Sequence, residues 1–118
     1  MSKGWIGVDL DGTLAEYDHW RGIAHIGPPV PAMLERVKRW LAEGKDVRIF
    51  TARVSDRDKM LATHSIVEWC REHIGRPLPV TNIKDFGMVE LWDDRAVQVE
   101  RNTGRRMDGR PEPLEEAT

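Results

Sequence analysis

Two aspartates that follow a short apolar segment are the residues of this chain best suited to chemistry. Residues 5–8 (WIGV) are predicted to form a buried strand, and Asp9 and Asp11 come directly after it. Two carboxylates this close together repel each other and resist leaving water. A divalent cation removes that cost, and magnesium binds carboxylate oxygens together with water and a substrate phosphate. The segment DLDGTL at 9–14 therefore predicts a magnesium-assisted phosphate site rather than a simple polar turn.

Polar residues also follow each of three later segments that have β-strand character. The strands predicted over 46–51, 79–83 and 90–92 end, in turn, at Thr51, Lys84 and the pair Asp93 and Asp94. The carboxyl ends of parallel strands lie along one edge of a sheet, so we expect these side chains to converge on one cavity. Such a set suits phosphoryl transfer. One carboxylate attacks, a second transfers protons, a hydroxyl and an ammonium bind phosphate oxygens, and an acid pair binds magnesium.

Between the first three predicted strands lie two segments whose apolar residues have helical spacing. One helix is predicted from Pro31 to Gly44, with an apolar face of Val30, Met33, Leu34, Val37 and Leu41. Ser55 and Asp58 resemble a capping box, so a second helix is predicted from there to about residue 74, with an apolar stripe of Ala62, Ile66, Trp69, Cys70 and His73. This order predicts a three-layer, Rossmann-like α/β sandwich with a mainly parallel sheet. We expect residues 1–100 to form one domain, with an edge strand at 96–99, and residues 101–118 to form a loosely ordered tail.

The composition limits the classes of partner. Of the 118 residues, 32% are charged and 40% are hydrophobic, and the formal net charge is -2, so nothing indicates a nucleic-acid-binding surface. Cys70 is the single cysteine, which excludes an internal disulfide and fits a reducing cytoplasm. No apolar stretch approaches the roughly 20 residues that span a bilayer, and the first residues do not resemble a secretory signal. We therefore expect a cytoplasmic protein with a phosphorylated substrate and no membrane partner, in an oligomeric state that the sequence leaves open.

The ordered set of strand-terminal residues resembles the haloacid dehalogenase (HAD) superfamily of phosphatases. The first motif of that family, D-x-D-G-T/V, is similar to DLDGT at 9–13. The later motifs are a Thr or Ser closing the next strand, a Lys, and an acid pair after an apolar strand. They are matched by Thr51 in RIFTAR, Lys84 in TNIKD, and Asp93 and Asp94 in ELWDDR. The resemblance covers about residues 5–99.

The resemblance implies a role for each matched residue and magnesium as the cofactor. Asp9 would be the nucleophile that forms an aspartyl-phosphate, and Asp11 the general acid and base. Thr51 and Lys84 would bind the transferred phosphate. The magnesium ligands would be Asp9, the backbone carbonyl of Asp11, Asp94 and, in a supporting position, Asp93.

Two features depart from the fuller pattern of the superfamily. Lys84 and Asp93 are too close in sequence for the usual helix between those motifs. Neither the loop at 15–29 nor the helix after Thr51 is long enough to be a cap domain, so the chain resembles a minimal, capless member. An open cleft favours a phosphate on a large or nucleotide-containing molecule, or a partner subunit that closes it.

Several residues near the predicted site have less certain roles by type alone. Arg21 and His25 in the loop after the nucleophile, and Arg53 after Thr51, are candidate substrate contacts because arginine and histidine suit phosphate. Tyr17 and Trp20 are expected to pack rather than to stack on a substrate.

Two other functions are compatible with parts of the pattern. A non-catalytic or very slow regulatory protein that binds phosphate and metal on the same fold would retain the same acids. A receiver-type signalling domain also uses Asp, Thr, Lys and magnesium. Its acid pair comes first, however, whereas here the second acid pair, Asp93 and Asp94, comes last. The order of the motifs thus favours the phosphatase.

Overall fold

A four-stranded sheet, in which every strand pair is parallel, forms the centre of the protein. The structure is a computed structural model that describes residues 4–55 and 57–110. Along the chain it contains β1 (Trp5–Val8), α1 (Pro31–Ala42), β2 (Asp46–Phe50), α2 (Lys59–His73), β3 (Val80–Thr81) and β4 (Met88–Trp92). The strands lie in the order β3-β2-β1-β4. The predicted Rossmann-like α/β class with a parallel sheet is confirmed.

Both helices pack on the same face of the sheet. Ile6 and Val8 of β1, together with Val47 and Ile49 of β2, project to that face and share one buried cluster with the helices. The helical members of this cluster are Met33, Val37 and Trp40 of α1, and Ile66, Trp69 and Cys70 of α2. Most residues of the predicted apolar faces therefore lie in the core or pack against it, but Leu34 and His73 are only partly buried and are not part of this cluster. Burial raises the pKa of the Cys70 thiol to about 11.

Side chains of the strands project from the opposite face of the sheet. The connection between β3 and β4 places no helix on this face. Trp5 projects there, with the Arg48 guanidinium carbon 4.6 Å from its ring centroid and the Phe50 ring centroid at 6.4 Å. The indole N–H of Trp5 donates a hydrogen bond of 2.9 Å to Asp85. Residues 82–87, which connect β3 and β4, contain no helix, as the short spacing between Lys84 and Asp93 predicts.

The end of the first helix agrees with the sequence-based expectation, whereas the start of the second helix does not. The first helix ends as predicted, because Gly44 has a φ of +83° just after it. The capping-box interpretation of Ser55 is wrong, since α2 begins only at Lys59. The chain first makes a short 3-10 helix, Ala52–Val54, which the Thr51 hydroxyl caps by accepting a hydrogen bond from the Arg53 backbone N–H.

The C-terminal region also differs from its prediction. No strand forms over residues 96–99, and Val99 makes only an isolated antiparallel bridge with Arg106. Next to this bridge, Arg105 of the predicted tail forms a 2.9 Å ion pair with Glu100. Residues 111–118 lie outside the described part of the chain. Within the described residues, neither helix is long and apolar enough to cross a membrane.

Candidate functional site

Three carboxylates meet at the carboxyl edge of the sheet. Asp9 follows β1, Asp93 and Asp94 follow the neighbouring strand β4, and the Asp9 backbone N–H donates a 2.9 Å hydrogen bond to the Trp92 carbonyl. One carboxylate oxygen from each of the three aspartates lies within 4.8 Å of the others. Parallel pairing of β1 with β4 thus brings together residues that are more than 80 positions apart in sequence.

A tight turn after β1 fits the first aspartate against this acid pair. The Leu10 carbonyl accepts hydrogen bonds from the backbone N–H groups of Leu14 (3.0 Å) and Ala15 (2.8 Å), which reverses the chain. Gly12 has a φ of +89°. A Cβ on Gly12 would lie 2.5 Å from Oδ2 of Asp94. Only glycine permits both the backbone conformation and this close approach.

Thr13 is a site residue to which the sequence analysis assigned no role. Its hydroxyl accepts a 2.9 Å hydrogen bond from the Asp94 backbone N–H. The same hydroxyl is positioned to donate to Asp94 Oδ1 at 3.2 Å or to Asp9 Oδ2 at 3.4 Å. Thr13 therefore orients one carboxylate from each of the two strands. The feature of the sequence that could have indicated this role is the position of Thr13 directly after Asp-Gly in the first motif.

The acid cluster creates an electrostatic cost that a cation would relieve. The pKa of Asp9 is raised to about 7, first by burial, then by the charge of Asp93 and by a hydrogen bond and charge from Asp94. The donors that meet here are hard carboxylate oxygens, the type that magnesium prefers. Asp9, Asp93 and Asp94 thus fit a magnesium ion by their chemistry.

Asp11 is held in a bidentate ion pair with Arg53. The Arg53 Nε donates to Asp11 Oδ2 at 2.7 Å, and Nη2 donates to Asp11 Oδ1 at 2.9 Å. Arg53 also donates to two loop carbonyls, those of Ile23 at 3.1 Å and His25 at 2.8 Å. The guanidinium is buried and is therefore part of the frame of the site. Arg53 also lines the cleft, so its predicted role as a direct substrate contact stays a prediction.

The two predicted phosphate contacts have different positions. Thr51 is buried at the end of β2 and lines the same cleft as Asp9 and Asp11. Lys84 is exposed and is not among the residues that line the cleft. The reason is that β3 ends at Thr81, and Asn82 contributes to the cleft wall instead, donating a 3.0 Å hydrogen bond to Ser55 Oγ.

The cleft above these residues has a volume of about 570 Å³. Residues 16–29, here called the flap, form one of its walls with Tyr17, Trp20 and Ile23. Tyr17 is 48% exposed and Trp20 is 52% exposed, so neither side chain is buried in the core. The flap contacts Arg53 through Trp20, because the Arg53 guanidinium carbon lies 4.8 Å from the Trp20 ring centroid.

Arg21 and His25 lie outside the main cleft. They line a separate depression of about 330 Å³ on the flap, together with Glu16, Tyr17, Asp18, Gly27 and Pro28. The Arg21 guanidinium donates a 2.6 Å hydrogen bond to Asp18. His25 reaches the site only through its backbone carbonyl, which accepts from Arg53. The structure therefore does not bring these two predicted substrate contacts to the acid cluster.

Comparisons with known proteins add information on the fold. No family model and no curated protein matches the chain. Among solved structures, the chain is similar to a conserved protein coded by a locus of Bacteroides thetaiotaomicron, with a TM-score of 0.59 and 24% sequence identity. The match covers 81% of this chain and 79% of that chain. At this identity the likeness shows a shared α/β fold and nothing about activity.

Proposed function

We propose that the protein is a magnesium-dependent phosphomonoester hydrolase. One observation carries the proposal: carboxylate oxygens of Asp9, Asp93 and Asp94 lie within 4.8 Å of one another at the carboxyl ends of two adjacent strands. Asp9 and the acid pair also line an open cleft of about 570 Å³ that can admit a substrate. The proposal takes the roles implied by the HAD resemblance and assigns them to these residues.

In the proposed reaction Asp9 attacks the substrate phosphorus through a carboxylate oxygen. The bond from phosphorus to the leaving oxygen breaks, the phosphoryl group is carried on Asp9, and the leaving oxygen takes a proton. Water then attacks the phosphorus, loses a proton, and releases inorganic phosphate with the Asp9 carboxylate restored. Thr51 holds a non-bridging phosphate oxygen from the end of β2. Lys84, exposed outside the cleft, is not among the proposed phosphate contacts.

Asp11 is the proposed proton carrier, and its pair with Arg53 sets a condition on that role. The Arg53 guanidinium donates to both oxygens of the Asp11 carboxylate, and charge-assisted bidentate bonds of this kind are strong. The acid step requires a proton on Asp11, so the Arg53 pair has to loosen when the leaving oxygen departs. The exposed side of the Asp11–Arg53 pair faces the cleft, where substrate binds.

Magnesium is the proposed cofactor because one anion must attack another. Two unit like charges 4 Å apart repel by roughly 4 kcal/mol at an effective dielectric of about 20, which corresponds to about a thousandfold in rate. A magnesium ion supplies positive charge that screens this repulsion. Asp94 and Asp93 are the residues proposed to hold the ion together with Asp9.

The test is hydrolysis of p-nitrophenyl phosphate by purified protein, with magnesium and with a chelator. We expect turnover that requires magnesium and falls to background in Asp9→Asn. Asp46→Asn is the matched control, because Asp46 is an exposed aspartate at the amino end of β2, paired with Arg48. The control should retain full activity. Equal turnover by wild type and Asp9→Asn would contradict the proposal.

A second candidate function is a regulatory protein that binds phosphate and metal without turnover. The observation that favours it is the Asp11–Arg53 pair, in which both carboxylate oxygens of the proposed proton carrier are already occupied by hydrogen bonds from a buried guanidinium. This function predicts magnesium-dependent phosphate binding with no hydrolysis of any ester in a broad panel. The hydrolysis test above separates the two functions.

A further inference from the structure

We infer that the cleft is built for a nucleoside monophosphate, whose base stacks on Trp20 while its phosphate reaches Asp9. This inference rests on the proposed function and names its substrate class. Trp20 is 52% exposed and lines the same cleft as Asp9. A large apolar ring left open to solvent in a cleft is typical of a binding surface.

Trp20 is supported in its exposed position by a neighbouring cation. The Arg53 guanidinium lies against its ring, with the guanidinium carbon 4.8 Å from the ring centroid. Arg53 is itself fixed by hydrogen bonds to both carboxylate oxygens of Asp11 and to the carbonyls of Ile23 and His25. The indole is thus supported by a buried cation and presents its remaining surface to the cleft. A fixed ring loses little conformational entropy when a base stacks on it.

The other walls of the cleft match the remaining parts of a nucleotide. Tyr17, Ile23 and Phe50 line the same cleft as Trp20 and add aromatic and apolar surface to it, which favours a base over a further polar group. Asn82 and Ser55 line the same cleft and offer an amide and a hydroxyl to the sugar. Asp9 and its neighbours form the acidic end, where the phosphate and its cation would lie. A bare sugar phosphate would leave the aromatic wall unused.

The volume favours a nucleotide over a single phenyl ring. A cleft of about 570 Å³ is within the range of sites that bind drug-sized ligands. A phosphotyrosine side chain would fill a small part of it and would bring no group to Asn82 and Ser55. We therefore treat the phosphotyrosine peptide as an alternative that the experiment must exclude.

The experiment compares adenosine 5′-monophosphate, ribose 5-phosphate and phosphotyrosine as substrates with magnesium present. The first two share the same phosphate and sugar, so the ratio of their kcat/KM values isolates the base. We expect the wild type to prefer the nucleotide over both other compounds. Base–aromatic stacking predicts that Trp20→Ala lowers the ratio of nucleotide to ribose 5-phosphate by about 5- to 150-fold. Trp20→Phe should retain most of the ratio, because it keeps an aromatic face.

Phe86→Ala is the matched control, since Phe86 is a fully exposed aromatic residue that does not line the cleft. Its substrate ratio should equal that of the wild type. The inference is overturned if ribose 5-phosphate is used as well as the nucleotide, if phosphotyrosine is preferred, or if Trp20→Ala leaves the ratio unchanged.

Absence of turnover with all three compounds and with p-nitrophenyl phosphate would be a failure of the proposed function, not of the stacking surface. Calorimetric titration then decides the inference. Tighter magnesium-dependent binding of adenosine 5′-monophosphate than of ribose 5-phosphate, lost in Trp20→Ala and kept in Phe86→Ala, supports it. Equal binding of the two compounds overturns it.

Discussion

The Asp9 carboxyl group lies among other acids, and its pKa is raised from 3.8 to about 7. In the unfolded chain Asp9 loses its proton near pH 4, whereas in the folded protein it keeps the proton to about pH 7. The folded state therefore binds more protons over this window, so Asp9 makes the metal-free protein less stable as pH rises from about 4 to 7. Above pH 7 the full cost is present.

We predict that Asp9→Asn removes this loss of stability. Measured by chemical denaturation in chelator, the free energy of unfolding of wild type should fall relative to Asp9→Asn between pH 5 and pH 8. Groups with a lowered pKa, such as Asp18 at about 2, are common to both proteins and cancel in the difference. A difference between the two proteins that stays constant with pH would show that the pKa of Asp9 is not raised in the folded protein.

A second prediction for a single residue concerns Asp11, the proposed proton carrier. The p-nitrophenolate group leaves readily without protonation, whereas an alkoxide needs a proton from an acid. Asp11→Asn should therefore lower kcat/KM, which reports the step that forms the aspartyl-phosphate, much more for an alkyl phosphate than for p-nitrophenyl phosphate, by on the order of 10²-fold or more. An equal loss of kcat/KM on both substrates would show that Asp11 does not protonate the leaving oxygen.

At the scale of elements, the turn after β1 connects Asp9, the proposed nucleophile, to residues that contact the acid pair. Gly12 and Gly44 have nearly the same positive φ, +89° and +83°. A Cβ on Gly12 would contact Asp94, while a Cβ on Gly44 would meet nothing within 4 Å. Alanine at either position strains the backbone, but only alanine at position 12 would also displace Asp94. Comparing the two variants therefore distinguishes the effect of strain from the effect of displacing the site.

We predict that Gly12→Ala and Gly44→Ala both lower the free energy of unfolding by about 1 kcal/mol, and that only Gly12→Ala abolishes magnesium-dependent hydrolysis. Gly44→Ala controls for strain because Gly44 ends α1 far from the cleft lining. Denaturation and p-nitrophenyl phosphate turnover measure the two effects. Full activity in Gly12→Ala would mean that the position of Asp94 is not critical.

The flap is attached to the rest of the protein through Arg53 and through Trp69, whose indole N–H donates a 2.9 Å hydrogen bond to the Gly27 carbonyl. This arginine connects Asp11 after β1 to the flap carbonyls of Ile23 and His25, and it supports Trp20. The Arg53 side chain is 5% exposed, whereas the Arg21–Asp18 pair on the same flap is exposed on both sides. The buried network is therefore expected to dominate the position of the flap.

We predict that Arg53→Lys lowers the free energy of unfolding by about 3 kcal/mol, because a lysine satisfies only part of a buried, bidentate network. Arg21→Lys should change it by less than about 1 kcal/mol, as is typical of surface pairs. Chemical denaturation of both variants makes the comparison. Similar losses in the two variants would contradict the structural role given to Arg53.

These elements also show what the sequence could predict. Local signals, namely an apolar strand followed by polar residues, were sufficient to place Asp9, Thr51 and the acid pair at one edge of a parallel sheet. The Arg53–Asp11 pair and the exposure of Trp20 depend on the path of the flap, for which no local periodicity exists. Lys84 was misplaced for a similar reason, since the length of β3 is set by its pairing with β2 and not by its own residues.

At the scale of the whole molecule, the sheet order brings β1 between β2 and β4. The central position of β1 places Asp9 beside Thr51 on one side and beside Asp93 and Asp94 on the other. Both helices lie on one face of the sheet. The cleft is bounded by the flap and by residues at and after the strand ends. In the described part of the chain no cap domain covers it. The arrangement of the site therefore follows from the topology, and it requires the sheet to be intact.

The most direct test of a magnesium-dependent phosphate site on Asp9 is binding of beryllium fluoride, an inert analogue of a phosphoryl group on a carboxylate, followed by fluorine NMR. We predict a bound fluoride signal with magnesium, no bound signal in chelator, and none in Asp9→Asn with magnesium. Asp46→Asn should give the same signal as wild type. A bound signal of equal strength in chelator, or in Asp9→Asn, would contradict the account.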